Sequence, residues 1–254
     1  MATATATYLN ITDISLRFLL CKSKKVRLKE AVINKLFGKM KFTEEFWALR
    51  DVSFQVKSGE RLGIIGSNGA GKTSLLKMIA GIYPPTKGQI EICGDIAPLL
   101  DLGAGFDTEI SARENILLYG SFLGQEIDGM RQRTDQIIEF AGIEQFADTP
   151  IKYFSKGMLL RLGFSVATDI MPEILLIDEV FAGGDAEFQT KAKARMEELI
   201  TSAKIMVMVS HNLSLIKSIC TRVIWLKKGE LCGDGDPITI CDQYLASVKK
   251  PKKK

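Results

Sequence analysis

No apolar run in this 254-residue chain approaches the ~20 residues that a membrane-spanning helix requires, although 46% of its residues are hydrophobic. The first seven residues alternate Ala and Thr and lack both a basic start and an apolar stretch, so no secretory signal is read there. The five cysteines (Cys21, Cys93, Cys220, Cys232 and Cys241) are odd in number and show no C-x-x-C spacing. That excludes a disulfide framework and a zinc knuckle in favour of reduced packing thiols, as expected in the cytosol. There is no internal repeat, and there is no basic body either. The net charge is +4, but Lys249, Lys250, Lys252, Lys253 and Lys254 supply more than all of it. The basicity belongs to a tail rather than to a groove for nucleic acid, and no nucleic-acid partner is expected.

What the chain does have is glycine at defined spacing. Gly66-Ser67-Asn68-Gly69-Ala70-Gly71-Lys72-Thr73 has the form G-x-x-x-x-G-K-[ST], with Ser74 next. The apolar run Arg61–Ile65 before it reads as a strand, and residues 73–80 after it read as a helix stopped by Gly81. Glycines let such a loop turn successive backbone N–H groups inward onto phosphates. The helix N-terminus adds about half a positive charge at the same place. Lys72 is placed to reach the β- and γ-phosphates, and the Thr73 hydroxyl to hold Mg²⁺. An ammonium about 3 Å from a phosphate oxygen gains roughly 5 kcal/mol at an effective dielectric near 20, before desolvation. The loop predicts that the chain binds ATP or GTP.

Strands are expected over residues 8–18, 48–56, 89–93, 174–177, Ile205–Val209, 223–226 and 230–232, the last two as a hairpin about Lys227-Lys228-Gly229. The S-x-x-E box Ser111-Ala112-Arg113-Glu114 opens a helix to Phe122. Further helices are expected over residues 128–141 (closed by Gly142), 156–168, 188–200, 213–220 and, capped by Asp236-Pro237, up to Val248. The helices at 111–141 interrupt the strand–helix alternation and predict a helical subdomain inserted into a sheet domain.

A second chemical motif is Ile174-Leu175-Leu176-Ile177-Asp178-Glu179, four aliphatics ending in two carboxylates at a strand's C-terminal tip, where open α/β sheets bind ligands. Asp178 suits Mg²⁺ through water and Glu179 suits polarisation of the attacking water; acids there serving only as helix caps are the plainer alternative. His211, the single histidine, lies just past the strand before it. It is either an ordinary surface residue or, placed at the same sheet edge, a hydrogen-bond partner of the γ-phosphate.

The phosphate loop, Phe154-Ser155-Lys156-Gly157-Met158, Asp178-Glu179, Ala182-Gly183-Gly184-Asp185 and Ser210-His211 together resemble, in order, the motif set of ABC-transporter ATPases. More narrowly, Leu99-Leu100-Asp101-Leu102-Gly103-Ala104-Gly105-Phe106 and Asp185-Ala186-Glu187-Phe188-Gln189 resemble the ATPase subunit of exporters for O-antigen and related surface polysaccharides. The resemblance implies an α/β fold: a P-loop NTPase (RecA-like) core of residues 61–110 and 169–235, an antiparallel β region within 1–60, a helical subdomain over 111–168, and a C-terminal helix and tail over 236–254. It implies ATP and Mg²⁺ as cofactors and a homodimer closing head to tail on two ATP molecules. Ser155 and Gly157 of one subunit would then face the γ-phosphate held by Lys72 of the other. It also implies multi-span permease subunits as partners and a peripheral place on the cytoplasmic face of the cell membrane.

The sequence departs from the family pattern in three places. Lys156 and Met158 replace two residues of the usual L-S-G-G-Q, with Lys156 either adding charge near phosphate or pointing outward. Asp101 holds the place of a glutamine near the metal. The aromatic that stacks on adenine is one of Phe42, Phe46 and Trp47. The segment 22–41 carries Leu28, Val32, Leu36 and Met40 at four-residue spacing among lysines and arginine. It suits a membrane surface or an exporter's cytosolic mouth, or it is an ordinary surface helix. Two other readings remain: a soluble P-loop kinase, and a non-transport ABC ATPase acting on DNA or ribosomes. An ABC ATPase exporting another substrate is a third.

Overall fold

The computed structural model describes residues 6–21, 43–178 and 185–249. Two sheets form. Strands β1 (Tyr8–Cys21), β2 (Thr43–Lys57) and β4 (Lys87–Cys93) make an antiparallel sheet in the order β2-β1-β4. Strands β3 (Arg61–Ile65), β5 (Ile96–Leu99), β6 (Ile174–Asp178), β7 (Ile205–Val209), β8 (Arg222–Lys227) and β9 (Glu230–Gly235) make the second, in the order β5-β6-β7-β3-β8-β9. All neighbours in it are parallel except β8 and β9, which pair as the expected hairpin.

The central strands are buried on both faces, which is why they read as unbroken aliphatic runs. Alternate side chains part cleanly between two cores. Ile174, Leu176, Ile205, Val207 and Val209 join the antiparallel sheet and helix α1 (Lys72–Ile79). Leu175, Ile177, Met206 and Met208 join the helices on the other face. Those are α2 (Ala112–Phe122), α3 (Ile127–Ala141), α4 (Lys156–Ala167), α5 (Ala186–Ser202) and α6 (Leu213–Ile219), with α7 (Pro237–Lys249) last in the chain. The inserted helices share this core with the sheet: Ile116, Tyr119, Met130 and Ile137 belong to the same buried cluster as Leu175 and Met206.

The capping box forms as expected. Ser111 Oγ accepts from Glu114 N–H at 3.2 Å, and Glu114 Oε2 accepts from Ser111 N–H at 2.8 Å. Gly142 ends α3 in the left-handed conformation, φ 63°. Three expectations change. β5 is a strand that the sequence pattern does not announce; Pro98 and a length of four residues hide it. It lies at the sheet edge, where a missing N–H costs no ladder bond, with Ile96 opposite Ile174. β1 and β2 run past the expected ends, from Phe18 opposite Phe46 to Cys21 opposite Thr43. This ribbon mixes exposed Leu19, Leu20 and Phe46 with Glu44 and Glu45, so it shows no alternation to read. α5 begins two residues before the expected Phe188, because Asp185 caps it by accepting from Phe188 N–H at 2.9 Å. The basic segment 22–41, Phe42 and Glu179 lie outside the described residues, as do Ala182, Gly183 and Gly184.

Candidate functional site

β3, β6 and β7 end side by side, so the turns that leave these three strands meet at one edge of the sheet. In register, Ile64 and Asp178 both lie opposite Val209. The phosphate loop, the acidic strand tip and the turn after β7 therefore share a cavity of about 270 Å³. Its walls are Asn68, Gly69, Ala70, Gly71, Lys72, Thr73, Ser74, Asp178, Val209 and His211.

The loop's shape needs glycine where backbone crowds it. Gly66 has φ 152°, and a Cβ there would stand 2.4 Å from the Leu226 carbonyl oxygen. Gly71 has φ 105°, and a Cβ would stand 2.7 Å from the Ala48 oxygen. Gly71 also caps α1, and no side chain caps that helix. Its first-turn N–H groups therefore open toward the cavity with the positive end of the helix dipole. The β8–β9 turn holds the loop through its backbone: Gly229 N–H donates to the Ala70 oxygen at 3.0 Å, and Arg50 N–H donates to the Gly229 oxygen at 2.8 Å.

Lys72 is only 7% exposed. Its ammonium lies across the loop, donating to the Gly66 oxygen at 2.9 Å and the Ser67 oxygen at 3.2 Å. Gly66 and Ser67 thus serve as its carbonyl acceptors rather than as cavity wall. His211 is exposed beyond the buried Ser210, whose Oγ accepts from Asn212 N–H at 3.0 Å. Asn212 in turn caps α6 through Ser214 and Leu215 N–H. The turn carrying His211 is thus fixed on both sides.

The donors present suit a hard cation. The Thr73 hydroxyl and the Asp178 carboxylate share the cavity, and among the described residues no cluster of three or more His, Cys, Asp or Glu forms a cage for a metal. One hydroxyl and one carboxylate fit Mg²⁺, which completes its shell with water and substrate phosphates.

Asp101 and the Ser155 turn stand apart from this cavity. Asp101 comes after β5 with φ 45°, and its carboxylate pairs with Lys77 Nζ at 2.6 Å. That carboxylate raises the Lys77 pKa above its ordinary value, with burial opposing and the charge of Asp178 adding to the rise. Ser155 caps α4 by accepting from Met158 N–H at 3.2 Å, and Gly157 sits in the first turn of that helix. Neither lines the cavity. A second cavity of about 650 Å³ adjoins Gly69 and is lined by Phe46, Trp47, Arg50 and Lys228 among others. Arg17 and Lys87 each lie 5.6 Å from the Trp47 ring centroid. Sequence reasoning misses Lys77, because a helix lysine 24 positions from its acid leaves no local signal.

The profile of the family described as ABC transporter matches residues 49–182. The chain is 42% identical over 204 residues to the O-antigen export system ATP-binding protein RfbB of Klebsiella pneumoniae, a match covering 80% of this chain and 83% of that one. It is also 42% identical over 201 residues to the RfbB protein of Myxococcus xanthus, covering 79% of this chain but only 46% of the relative, so it spans less than half of that protein's length. Its fold matches an ATP-binding cassette solved as a dimer in a post-hydrolysis state with ADP and Pi: TM-score 0.66, 20% identity, 90% of this chain and 98% of that one. This chain belongs to the ABC transporter family.

Proposed function

We propose that the chain is the ATP-hydrolysing subunit that powers a separate membrane permease exporting a lipid-linked surface polysaccharide. The observation that carries this reading is the meeting of Lys72, Thr73, Asp178 and His211 around one cavity at the sheet edge. The names of the O-antigen export relatives support the substrate class.

ATP enters with its phosphates on the loop amides and the α1 N-terminus. Lys72 exchanges its two carbonyl acceptors for phosphate oxygens. Thr73 and Asp178 would hold Mg²⁺, which would supply positive charge against the phosphates. Glu179, one residue beyond β6, polarises the water that attacks the γ-phosphate in line, and His211 hydrogen-bonds that phosphate. Catalysis is mostly positioning and electrostatic stabilisation. Adenine stacks on Phe46, which is 49% exposed and borders the Gly69 cavity; the Trp47 ring already serves two cations.

Ser155 and Gly157 act on the ATP of a second subunit. In support, a Cβ on Gly157 would meet nothing closer than Ser155 Oγ at 3.8 Å among the described residues, so packing within one chain does not call for glycine there. Closure of the dimer then depends on the γ-phosphate that both subunits grip, and its loss lets them part. The basic segment 22–41 adds affinity for the membrane or the permease.

A cell lacking this chain should accumulate lipid-linked glycan on its cytoplasmic side. Wild-type chain should restore export and the Lys72→Ala chain should not. Normal surface glycan in the deletion strain would overturn the assignment.

A further inference from the structure

On the helix side of the parallel sheet, α4, α5 and α6 surround an apolar cavity of about 440 Å³. Its walls include Phe164 of α4, Phe188, Ala192 and Met196 of α5, Met208 of β7 and Leu215 of α6. Among the described residues its polar lining is Gln189, Lys193 and Glu197, one turn apart and all exposed on α5. The interior therefore suits hydrocarbon and nothing charged. Protein interiors close-pack, with few voids larger than a water molecule, so a space of this size calls for an occupant.

The chain has a segment in the right place. Between β6 and the Asp185 cap of α5 runs Glu179-Val180-Phe181-Ala182-Gly183-Gly184, six residues outside the described ones. Both of its ends flank the cavity. It leaves β6 just after Ile177, whose partner in register is the cavity residue Met208. It returns at Asp185, whose carboxylate accepts from the N–H of the cavity residue Phe188 at 2.9 Å. Six residues span about 20 Å at full stretch, so the segment stays beside the cavity. Ala182, Gly183 and Gly184 have little or no side chain with which to hold it. Phe181 has the largest apolar side chain of the six, and an aromatic ring gains most from burial.

We propose that Phe181 seats its ring in this cavity and is thereby the positioning residue that fixes Glu179, two residues earlier, at the γ-phosphate. The inference rests on the reading of Glu179 as the group that polarises the attacking water. Without that anchor, Glu179 would sit on a span tied only by the β6 ladder at one end and the Asp185 cap at the other. A catalytic group needs its place held closely, because a small misplacement costs rate rather than substrate affinity. The cavity wall and the carboxylate are thus two ends of one short lever.

The test combines steady-state ATP hydrolysis by the full chain with thermal unfolding in the presence of toluene, the hydrocarbon analogue of the Phe side chain. Phe181→Ala should lower kcat by about 10-fold to 100-fold, the scale of a misplaced catalytic group, and leave KM unchanged. Phe181→Leu, which still fills the space with hydrocarbon, should keep most of the rate. Toluene should raise the Tm of Phe181→Ala, since vacant apolar cavities take up aromatic hydrocarbons, and should leave that of wild type unmoved. Ala192→Leu, which narrows the cavity from α5, should lower kcat in the wild-type background and add nothing to Phe181→Ala; its effect alone decides the matter if Phe181→Ala does not fold. Wild-type kcat in Phe181→Ala, a loss that Phe181→Leu shares in full, or unchanged kcat in Ala192→Leu would overturn the proposal. So would a toluene shift as large in wild type, which would make the cavity a site for a foreign apolar ligand. Wild-type turnover in Glu179→Gln would instead sink the reading of Glu179, while the toluene comparison would still decide whether Phe181 fills the cavity.

Discussion

Gly229 N–H donates to the Ala70 carbonyl at 3.0 Å, so the β8–β9 turn braces the phosphate loop through its backbone. The brace depends on a backbone that only glycine adopts easily. Gly229 has φ 84°, and a Cβ there would stand 2.7 Å from the Ala48 oxygen. Gly229→Ala is expected to cost about 1–3 kcal/mol, lowering Tm by about 2–4 °C for each kcal/mol. It should weaken nucleotide binding beyond what the lost stability explains. Thermal unfolding and nucleotide titration on the same preparation check both; unchanged affinity would show that the loop keeps its shape without the brace.

Lys72→Ala removes an ammonium that bridges the Gly66 and Ser67 carbonyls and that the proposed function places on phosphate. Charge-assisted hydrogen bonds contribute about 1.5–3 kcal/mol, so ATP affinity should fall roughly 10-fold to 100-fold. Isothermal titration measures it directly. Affinity within a factor of two of wild type would remove Lys72 from the phosphate site.

Acid should release the cap of α5. Asp185 is held below its ordinary pKa, chiefly because its carboxylate accepts from Phe188 N–H, with Arg161 assisting against desolvation. A carboxylate whose pKa is depressed by folding contributes stability above its unfolded value, near 3.9, and loses it as pH falls through the folded value. Asp185→Ala should therefore melt below wild type at pH 7, and the gap should close as pH drops under about 3.9. A gap independent of pH would mean that charge plays no part in the cap.

The legible parts of this chain are those written in local spacing. The strand–loop–helix around Lys72 follows from where glycine must stand, and Ser111 with Glu114 announces α2 because the two side chains serve each other's backbone. Ile205–Val209 is readable from its aliphatic run alone. The illegible parts depend on distant partners. β5 exists because Ile96 finds Ile174, 78 positions later, and the long β1–β2 ribbon because Phe18 finds Phe46 across the segment between them. The capture of Asp101 by Lys77 is of the same kind: only the folded sheet brings the loop after β5 against α1.

The central claim is that two copies close on shared ATP, each giving its Ser155 turn to the other's phosphate loop. Glu179→Gln, which removes the proposed base and leaves Lys72, Thr73 and Asp178 in place, isolates closure from turnover. Light scattering behind a sizing column, run on that chain with saturating ATP and Mg²⁺, tests the claim most directly. The account predicts a dimer with ATP, and a monomer with ADP or when Ser155→Arg is added. A monomer under saturating ATP would contradict it.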